Sequence, residues 1–478
     1  MALTPSDGLS RRSLSRRSLL RAGTLAAVAS ATGLAASSRA FGAATGSSTV
    51  WDTIVVGAGP SGLTAARKLA DAGQRVLVLE ARNRIGGRMW TDRTTMSIPI
   101  ERGAELIHHG PNAAHWPLVV SQGLTTHQFT KQYSRFTPQD AKWVDQNFYE
   151  FCHFPQGKPS FPNGLPQPTS TETAEAWLLR IGIPRSNYPL SLLVIETDTE
   201  QFDVLLATNI VDYVQETLDF ADKTGSRGPY SPDGDYRVIG GYDQVLAPLA
   251  NGISILLNRP VTHVSYRRSG VEIVTGDGQV YRARTAVMAV PAGVLQSNTI
   301  CFDPVLPSSR IAAINDVEYL AVYKGIFEFA QPVLAADRSI PANWDLLETY
   351  SLNPPSLWNA SVGTPNFRGQ IVVAWATGAE AQALLNLPVA QRHAAGLEHV
   401  RKTTGNPGLQ YVKASTYDWS KDQYARGAYP GLDSNWDFDG LYQPISGSLF
   451  WAGIITDTVG DSVAAGSTVA DGVLQVLA

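Results

Sequence analysis

Cysteine is almost absent from this chain, with two among 478 residues, Cys152 and Cys301. They lie far apart and without ligand-like spacing, which excludes a disulfide framework and a zinc site and reads as two buried thiols. Also missing is any confident apolar run of about 20 residues, the length a membrane-spanning helix needs. There is no basic excess either: 38 Lys and Arg stand against 42 Asp and Glu. Without residues 1–43, which hold six of the arginines and Asp7, 32 basic residues face 41 acidic ones, a formal charge of −9. That balance argues against a nucleic-acid surface and slightly favours the approach of cationic molecules. No internal repeat is evident, and about 430 residues beyond the start exceed one core and read as two domains.

The start itself is distinctive. Arg11-Arg12 and Ser15-Arg16-Arg17-Ser18-Leu19-Leu20-Arg21 precede a mildly apolar run rich in Ala, Gly and Thr from Ala22 to Ala36, then small residues around Ala40 to Ala44. Residues 1–44 read as a twin-arginine export signal outside the fold. The twin-arginine translocase would then be a transient partner, the periplasm or cell exterior the destination, and the mature chain free of a membrane span. Proline and glycine punctuate Pro155 to Pro168, Gly225 to Gly234 and Asn353 to Gly369, which read as loops.

Two glycine clusters carry the chemistry. Gly57-Ala58-Gly59-Pro60-Ser61-Gly62 follows the apolar run Thr53 to Val56, a buried parallel strand by pattern, and precedes the amphipathic helix Leu63 to Ala70. In such a strand-to-helix turn Gly57 permits the tight turn, Gly59 lets a pyrophosphate approach the backbone, and Gly62 allows close helix–strand packing. The helix start, with Pro60 and Ser61, offers free N–H groups and a positive dipole end. A second strand, Arg75 to Leu79, delivers Glu80, whose carboxylate suits the ribose hydroxyls of an adenosine and disfavours a 2′-phosphate. Glycines gather at ordinary turns too, so this motif alone leaves both readings open.

The context narrows them. Glu80-Ala81-Arg82-Asn83-Arg84-Ile85-Gly86-Gly87-Arg88-Met89-Trp90-Thr91 resembles the second FAD signature of the flavin-dependent amine oxidases: monoamine, polyamine and L-amino-acid oxidases. The resemblance covers nearly the whole mature chain. It implies an α/β fold: a Rossmann-like FAD-binding domain of the glutathione-reductase/amine-oxidase type, with an interleaved α+β substrate domain. By this reading residues 50–115, 235–300 and 412–478 form the FAD domain, and 116–234 and 301–411 the substrate domain. Glu80, Ala81, Arg82, Gly86, Gly87 and Arg88 would line the cofactor, Val261 would hold the adenine through its backbone, and Leu449 to Gly453 would be a strand ending in a turn. The terminal helix, read as Val463 to Leu477, would point its N-terminus at the flavin pyrimidine, where its dipole stabilises negative charge.

The resemblance also assigns reactive positions. Lys324 stands alone among apolar residues of strand period in Ala321 to Phe327; such a lysine also suits an edge residue pointing outward. In the family it holds a water against flavin N5. Tyr429 corresponds to one wall of an aromatic cage over the flavin, with Trp419 beside it, and Ala428 stands where monoamine oxidases carry the cysteine that binds flavin covalently, so FAD is expected to be non-covalent. Ile454-Ile455 replaces the usual acid after Ala-Gly, and near Val463-Ala464 the second cage aromatic is missing, which implies a more open pocket. His108 matches a histidine of several animal polyamine oxidases, and Leu106 stands where amino-acid oxidases carry a carboxylate-binding arginine. No metal is implied.

The expected activity is oxidative deamination of a primary or secondary amine by hydride transfer to flavin N5, with imine hydrolysis and reoxidation by dioxygen, giving hydrogen peroxide, or by a redox protein. A homodimer is compatible with it. An L-amino-acid oxidase using Arg237 or Arg426, an FAD-dependent desaturase-type enzyme, and a non-catalytic flavin-binding protein are the alternatives.

Overall fold

The computed structural model describes residues 50–135, 144–145, 166–185, 188, 202–211, 234–333, 340–349, 354, 356–431 and 436–478. The twin-arginine stretch, Cys152 and most of the first two proline and glycine loops lie outside these residues.

Short continuous apolar runs build the first sheet. Among the described residues it has eight strands, in the order Ser254–Leu256, Val76–Leu79, Val50–Val56, Val280–Met288, Gly270–Thr275, Val261–Arg267 and Cys301–Asp303, with Leu449–Trp451 also pairing to Val280–Met288. The strands around the glycine loop run parallel, Val50–Val56 lying between Val76–Leu79 and Val280–Met288. Both faces are buried: Ile54 and Val56 enter one apolar cluster and Val55 the other. Strands buried on two faces read as unbroken apolar runs, which is why this sheet is visible in the sequence. Helices Pro60–Asp71 and Val459–Leu477 cover the Val55 face, so close that a Cβ on Gly466 would lie 2.2 Å from the Ser61 carbonyl.

The second sheet has seven described strands, in the order Lys413–Thr416, Val322–Phe329, Gln370–Thr377, Ser356–Asn359, Leu346–Thr349, Gln132–Arg135 and Val144–Asp145. It is antiparallel except where Leu346–Thr349 meets Gln132–Arg135. The period of two divides Val322–Phe329: Tyr323, Phe327 and Phe329 pack into a cluster with helices Gly378–Leu385 and Val389–Thr404, while Ile326 joins Met96, Ile100 and Trp358 on the other face. Lys324 shares that second face.

Several expectations shift. The Asn353 to Gly369 stretch is not all loop, because Ser356–Asn359 is a fully buried strand hydrogen-bonded on both sides; the prolines before it hid a central strand. Cys301 is exposed, since it opens an edge strand of the first sheet. Strand Cys301–Asp303 belongs to the first sheet and Lys413–Thr416 to the second, each just across an expected domain boundary. The terminal helix begins at Val459, four residues before Val463, because Thr458 and Asp461 form a capping box at its start.

Candidate active site

Three segments distant in sequence meet at the first glycine loop. Gly57 has φ +105°, and a Cβ there would lie 2.5 Å from the Ala289 carbonyl oxygen; on Gly62 it would lie 2.0 Å from the Gly57 carbonyl oxygen. A Cβ on Gly59, by contrast, would meet nothing within 4 Å, and one on Gly87 would come 3.5 Å from the Gly59 Cα. The glycines flanking Gly59 are therefore required by the protein itself, whereas the space over Gly59 is left for something else. Gly453, at φ +65°, arrives against the Ser61 side chain. Helix Pro60–Asp71 starts without a side-chain cap or an acid in its first turn, Pro60 taking a first-turn position where no N–H is needed.

Beside this loop the buried Glu80 carboxylate accepts the Ala58 N–H at 2.7 Å and the Arg82 N–H at 2.8 Å. Burial raises its pKa above the ordinary carboxyl value, against those two hydrogen bonds. Ala81 is half-buried next to it. The Arg82 guanidinium is already engaged: it donates to both oxygens of Asp422, at 2.8 and 2.6 Å. Among the described residues Arg84 has no carboxylate in ion-pair contact; it donates to the carbonyls of Ile85, Gly87 and Met89, and burial brings its pKa down to about 10. Gly86 at φ +102° and Gly87 at φ +57° form the second turn, and Arg88 Nη1 donates to the Ala428 carbonyl. Val261 is the first residue of its strand. Val463 lies in the second turn of its helix, so the helix start belongs to Thr458, Val459 and Gly460 instead.

A free cradle over Gly59, uncapped N–H groups and a buried carboxylate at the end of the second strand fit the pyrophosphate and ribose of a dinucleotide. These residues would hold FAD.

On the facing side, Lys324 is buried rather than outward-pointing. Its ammonium lies 2.7 Å from Glu105 Oε2, donates to the Gly103 carbonyl at 3.0 Å and stands 5.4 Å from the centre of the Trp358 ring. Gly103 is packed against the Arg88 carbonyl and the Trp419 ring, so the lysine is tied to the second glycine loop through one peptide. Glu105 in turn meets the buried Arg237, with Nε 3.4 Å from Oε1. The buried Glu101 carboxylate accepts from the Thr91 hydroxyl and the Tyr242 N–H, and burial, then the neighbouring Glu105, push its pKa up to about 7.

Trp419 is buried, donates Nε1–H to the Arg102 carbonyl at 3.0 Å, and stacks edge-on with Tyr417 at 4.9 Å and Trp90 at 6.3 Å. The backbone of Tyr429 pairs with Leu320 in a short antiparallel ladder, and its side chain lies outside the described structure. His108 is solvent-exposed, its Nδ1 2.9 Å from Asp235 Oδ1. Ile454 and Ile455 are both buried, with the Tyr319 hydroxyl donating to the Ile454 carbonyl and the Tyr442 hydroxyl bonded to both backbone groups of Ile455. Sequence reasoning missed Glu105 and Asp422. The signal for Glu105 was available, as a lone acid in the apolar Gly103 to Ile107 stretch to match the lone base in a strand.

The fold and cradle define a flavin-dependent oxidoreductase of the dinucleotide-binding kind. A profile of the flavin containing amine oxidoreductase family matches residues 60–474, and the chain belongs to that family. It is 30% identical to polyamine oxidase 2 of Arabidopsis thaliana over 55% of this chain and 56% of that protein. It is 28% identical to lysine-specific histone demethylase 1 homolog 3 of the same plant over 89% of this chain and 30% of that one. The chain thus spans less than two thirds of these curated relatives. Among solved structures, putrescine oxidase bound to putrescine superposes with a TM-score of 0.71 at 22% identity, covering 89% of this chain and 99% of that one. Cyclohexylamine oxidase from Brevibacterium oxydans IH-35A superposes at 0.68 and 22%, with the same coverage. These likenesses show the fold.

Proposed function

We propose that this chain oxidises a carboxylate-free primary or secondary amine. A neutral amine loses hydride from its α-carbon, and the resulting iminium takes up water to release an aldehyde or ketone and the nitrogen fragment. FAD, when bound, accepts that hydride at N5. The protein's part is to hold the cofactor on the two glycine loops, to place Lys324 and the aromatic residues around the reacting carbon, and to keep bulk water away. The carrying observation is the buried Lys324 tied to the second glycine loop through Gly103, a cation placed where the cofactor cradle faces the second sheet.

An amino-acid substrate is disfavoured by the same geometry. Of the two arginines considered for its carboxylate, Arg237 is buried against Glu105 and Arg426 is exposed, and Leu106 offers no charge. The names of the matched polyamine, putrescine and cyclohexylamine oxidases support an amine. Ala428 supplies no thiol, so FAD is held non-covalently, and dioxygen or a redox protein takes the electrons. Residues 1–44 direct export by the twin-arginine route to the periplasm or beyond; replacing Arg16 and Arg17 by lysine and following the protein by fractionation tests this, and an unchanged distribution removes it.

The activity is tested by anaerobic bleaching of the flavin's visible absorbance with a panel of monoamines, polyamines and L-amino acids. Bleaching by a carboxylate-free amine is the expected result. Bleaching by amino acids alone, or by nothing on the panel, overturns the reading.

A further inference from the structure

We propose that Glu105 is a positioning residue that keeps the Lys324 ammonium charged and fixed, so that the lysine acts as a permanent cation when electrons leave for dioxygen. The proposal rests on the role given to Lys324 above. Four features carry it. Lys324 and Glu105 are both buried, and their ion pair closes at 2.7 Å. The Gly103 carbonyl accepts a hydrogen bond from the same ammonium at 3.0 Å, so the lysine is held by one charge contact and one hydrogen bond. Behind Glu105 lies Arg237, equally buried, with Nε 3.4 Å from Oε1, a second positive charge against the same carboxylate. The period of two in Val322–Phe329 puts Lys324 on the face that meets the Gly103 to Ile107 segment, so the pair is imposed by the strand and not by chance of rotamer.

A buried lysine with no counter-ion sheds its proton, and a neighbouring arginine drives it the same way. Without Glu105, Lys324 and Arg237 would be two like charges in a dry place. With it, the pair retains a cation that stabilises the negative charge developing on dioxygen. Reduced FAD, when bound, would supply two electrons and one proton to dioxygen, solvent would supply the second proton, and hydrogen peroxide would leave.

Among the described residues, the charged groups around Lys324 are Glu105 in direct contact, Arg237 behind Glu105 and the more distant Glu101, while Trp358 and Trp375, the lysine's cross-strand neighbour, contribute no charge. Glu101 titrates near 7, so the pH profiles are read above it.

The experiment uses FAD-loaded protein reduced with dithionite and mixed with dioxygen, so that no amine is needed, in wild type, Glu105→Gln, Glu105→Asp, Lys324→Met and Glu105→Gln/Lys324→Met. Between about pH 8 and about pH 10, where a lysine freed of its counter-ion titrates, Glu105→Gln is expected to lose reoxidation rate about tenfold as pH rises. It should converge on Lys324→Met at the alkaline end, while Glu105→Asp keeps most of the wild-type profile. Thermal midpoints give a readout independent of turnover: the double variant should melt above Glu105→Gln, because it no longer leaves the lysine charge unpaired. Should Glu105→Gln not fold, Glu105→Asp against the double variant reports the same coupling. A Glu105→Gln profile parallel to wild type at every pH overturns the proposal, as does a double variant no more stable than Glu105→Gln. Lys324→Met reoxidising like wild type overturns it together with the lysine's role. An amine panel that bleaches nothing overturns the amine reading alone, because the dithionite route does not pass through it.

Discussion

Two helices pack against one another in this protein and treat their first turns in opposite ways. Pro60–Asp71 starts at Gly59 with no side-chain cap and no acid. Val459–Leu477 starts at Thr458, whose hydroxyl accepts the Asp461 N–H at 3.0 Å while the Asp461 carboxylate accepts the Thr458 N–H at 3.1 Å. The two are in contact, with Gly453 and Gly466 both against Ser61. One end caps the Asp461 N–H with its own side chain; the other has no side-chain cap, and a Cβ on the Gly59 before it would meet nothing within 4 Å. An uncapped start next to a self-capped one marks where an anion is meant to supply the missing acceptors.

The comparison breaks most severely at Gly62. Its absent side chain is where the first helix approaches its own strand, so Gly62→Ala drives a methyl into the Gly57 carbonyl, 2.0 Å away. The helix must back off the sheet and carry its free N–H groups with it. A cost of at least about 3 kcal/mol is expected, with loss of bound flavin. Denaturant melts and the flavin-to-protein absorbance ratio measure both, and a variant that melts like wild type and stays yellow would refute the close-packing argument.

Glu80 sharpens the contrast next. Because burial raises its pKa, its contribution to stability is complete below the ordinary carboxyl range and is lost as pH rises through the higher folded value. FAD-free wild type should therefore lose stability over that window, and Glu80→Gln should not show that loss, a difference read from melts between about pH 4 and about pH 8. The same variant gives up charged hydrogen bonds to the ribose and weakens FAD binding about 10- to 100-fold, measured by fluorescence titration. Equal affinity would place the adenosine elsewhere.

Gly59→Ala separates cofactor from fold. Since a Cβ there meets nothing within 4 Å, the FAD-free variant should melt within about 0.5 kcal/mol of wild type. FAD affinity should fall at least about tenfold, because the methyl occupies the approach to the backbone. Retained affinity would show that the pyrophosphate does not pass over Gly59.

What the sequence made legible was local. The glycine turns are backbone requirements written in adjacent residues, and the central strands of the first sheet, Ile54 to Val56 and Val76–Leu79, are unbroken apolar runs because both faces are buried. What it hid was joined at long range. Arg82 and Asp422 meet across 340 positions, and nothing near either residue names the other. Lys324 was visible as an anomaly, but its partner Glu105 lies in a separate segment that pairs with Tyr236–Val238 in another sheet. Val463 was a misplacement of a different kind: the apolar pattern of the helix is strong from there, while Thr458-Val459-Gly460-Asp461, a readable cap, was passed over. Ser356–Asn359 was masked by the prolines that precede a strand with both faces buried.

The smallest effect tests the self-capped end. Thr458→Ala removes the hydroxyl that accepts the Asp461 N–H at 3.0 Å and donates to the Asp461 carboxylate at 2.8 Å, and the loss of an N-cap costs about 1 kcal/mol. The Asp461 carboxylate retains its bond from the Thr458 backbone N–H, so the helix start loosens without losing its acid. FAD affinity should then change far less than in Gly59→Ala, although the two helices are in contact. If instead Thr458→Ala weakens FAD as strongly as Gly59→Ala does, the two helix ends hold the cofactor jointly, and the contrast between a protein-serving cap and a ligand-serving vacancy dissolves.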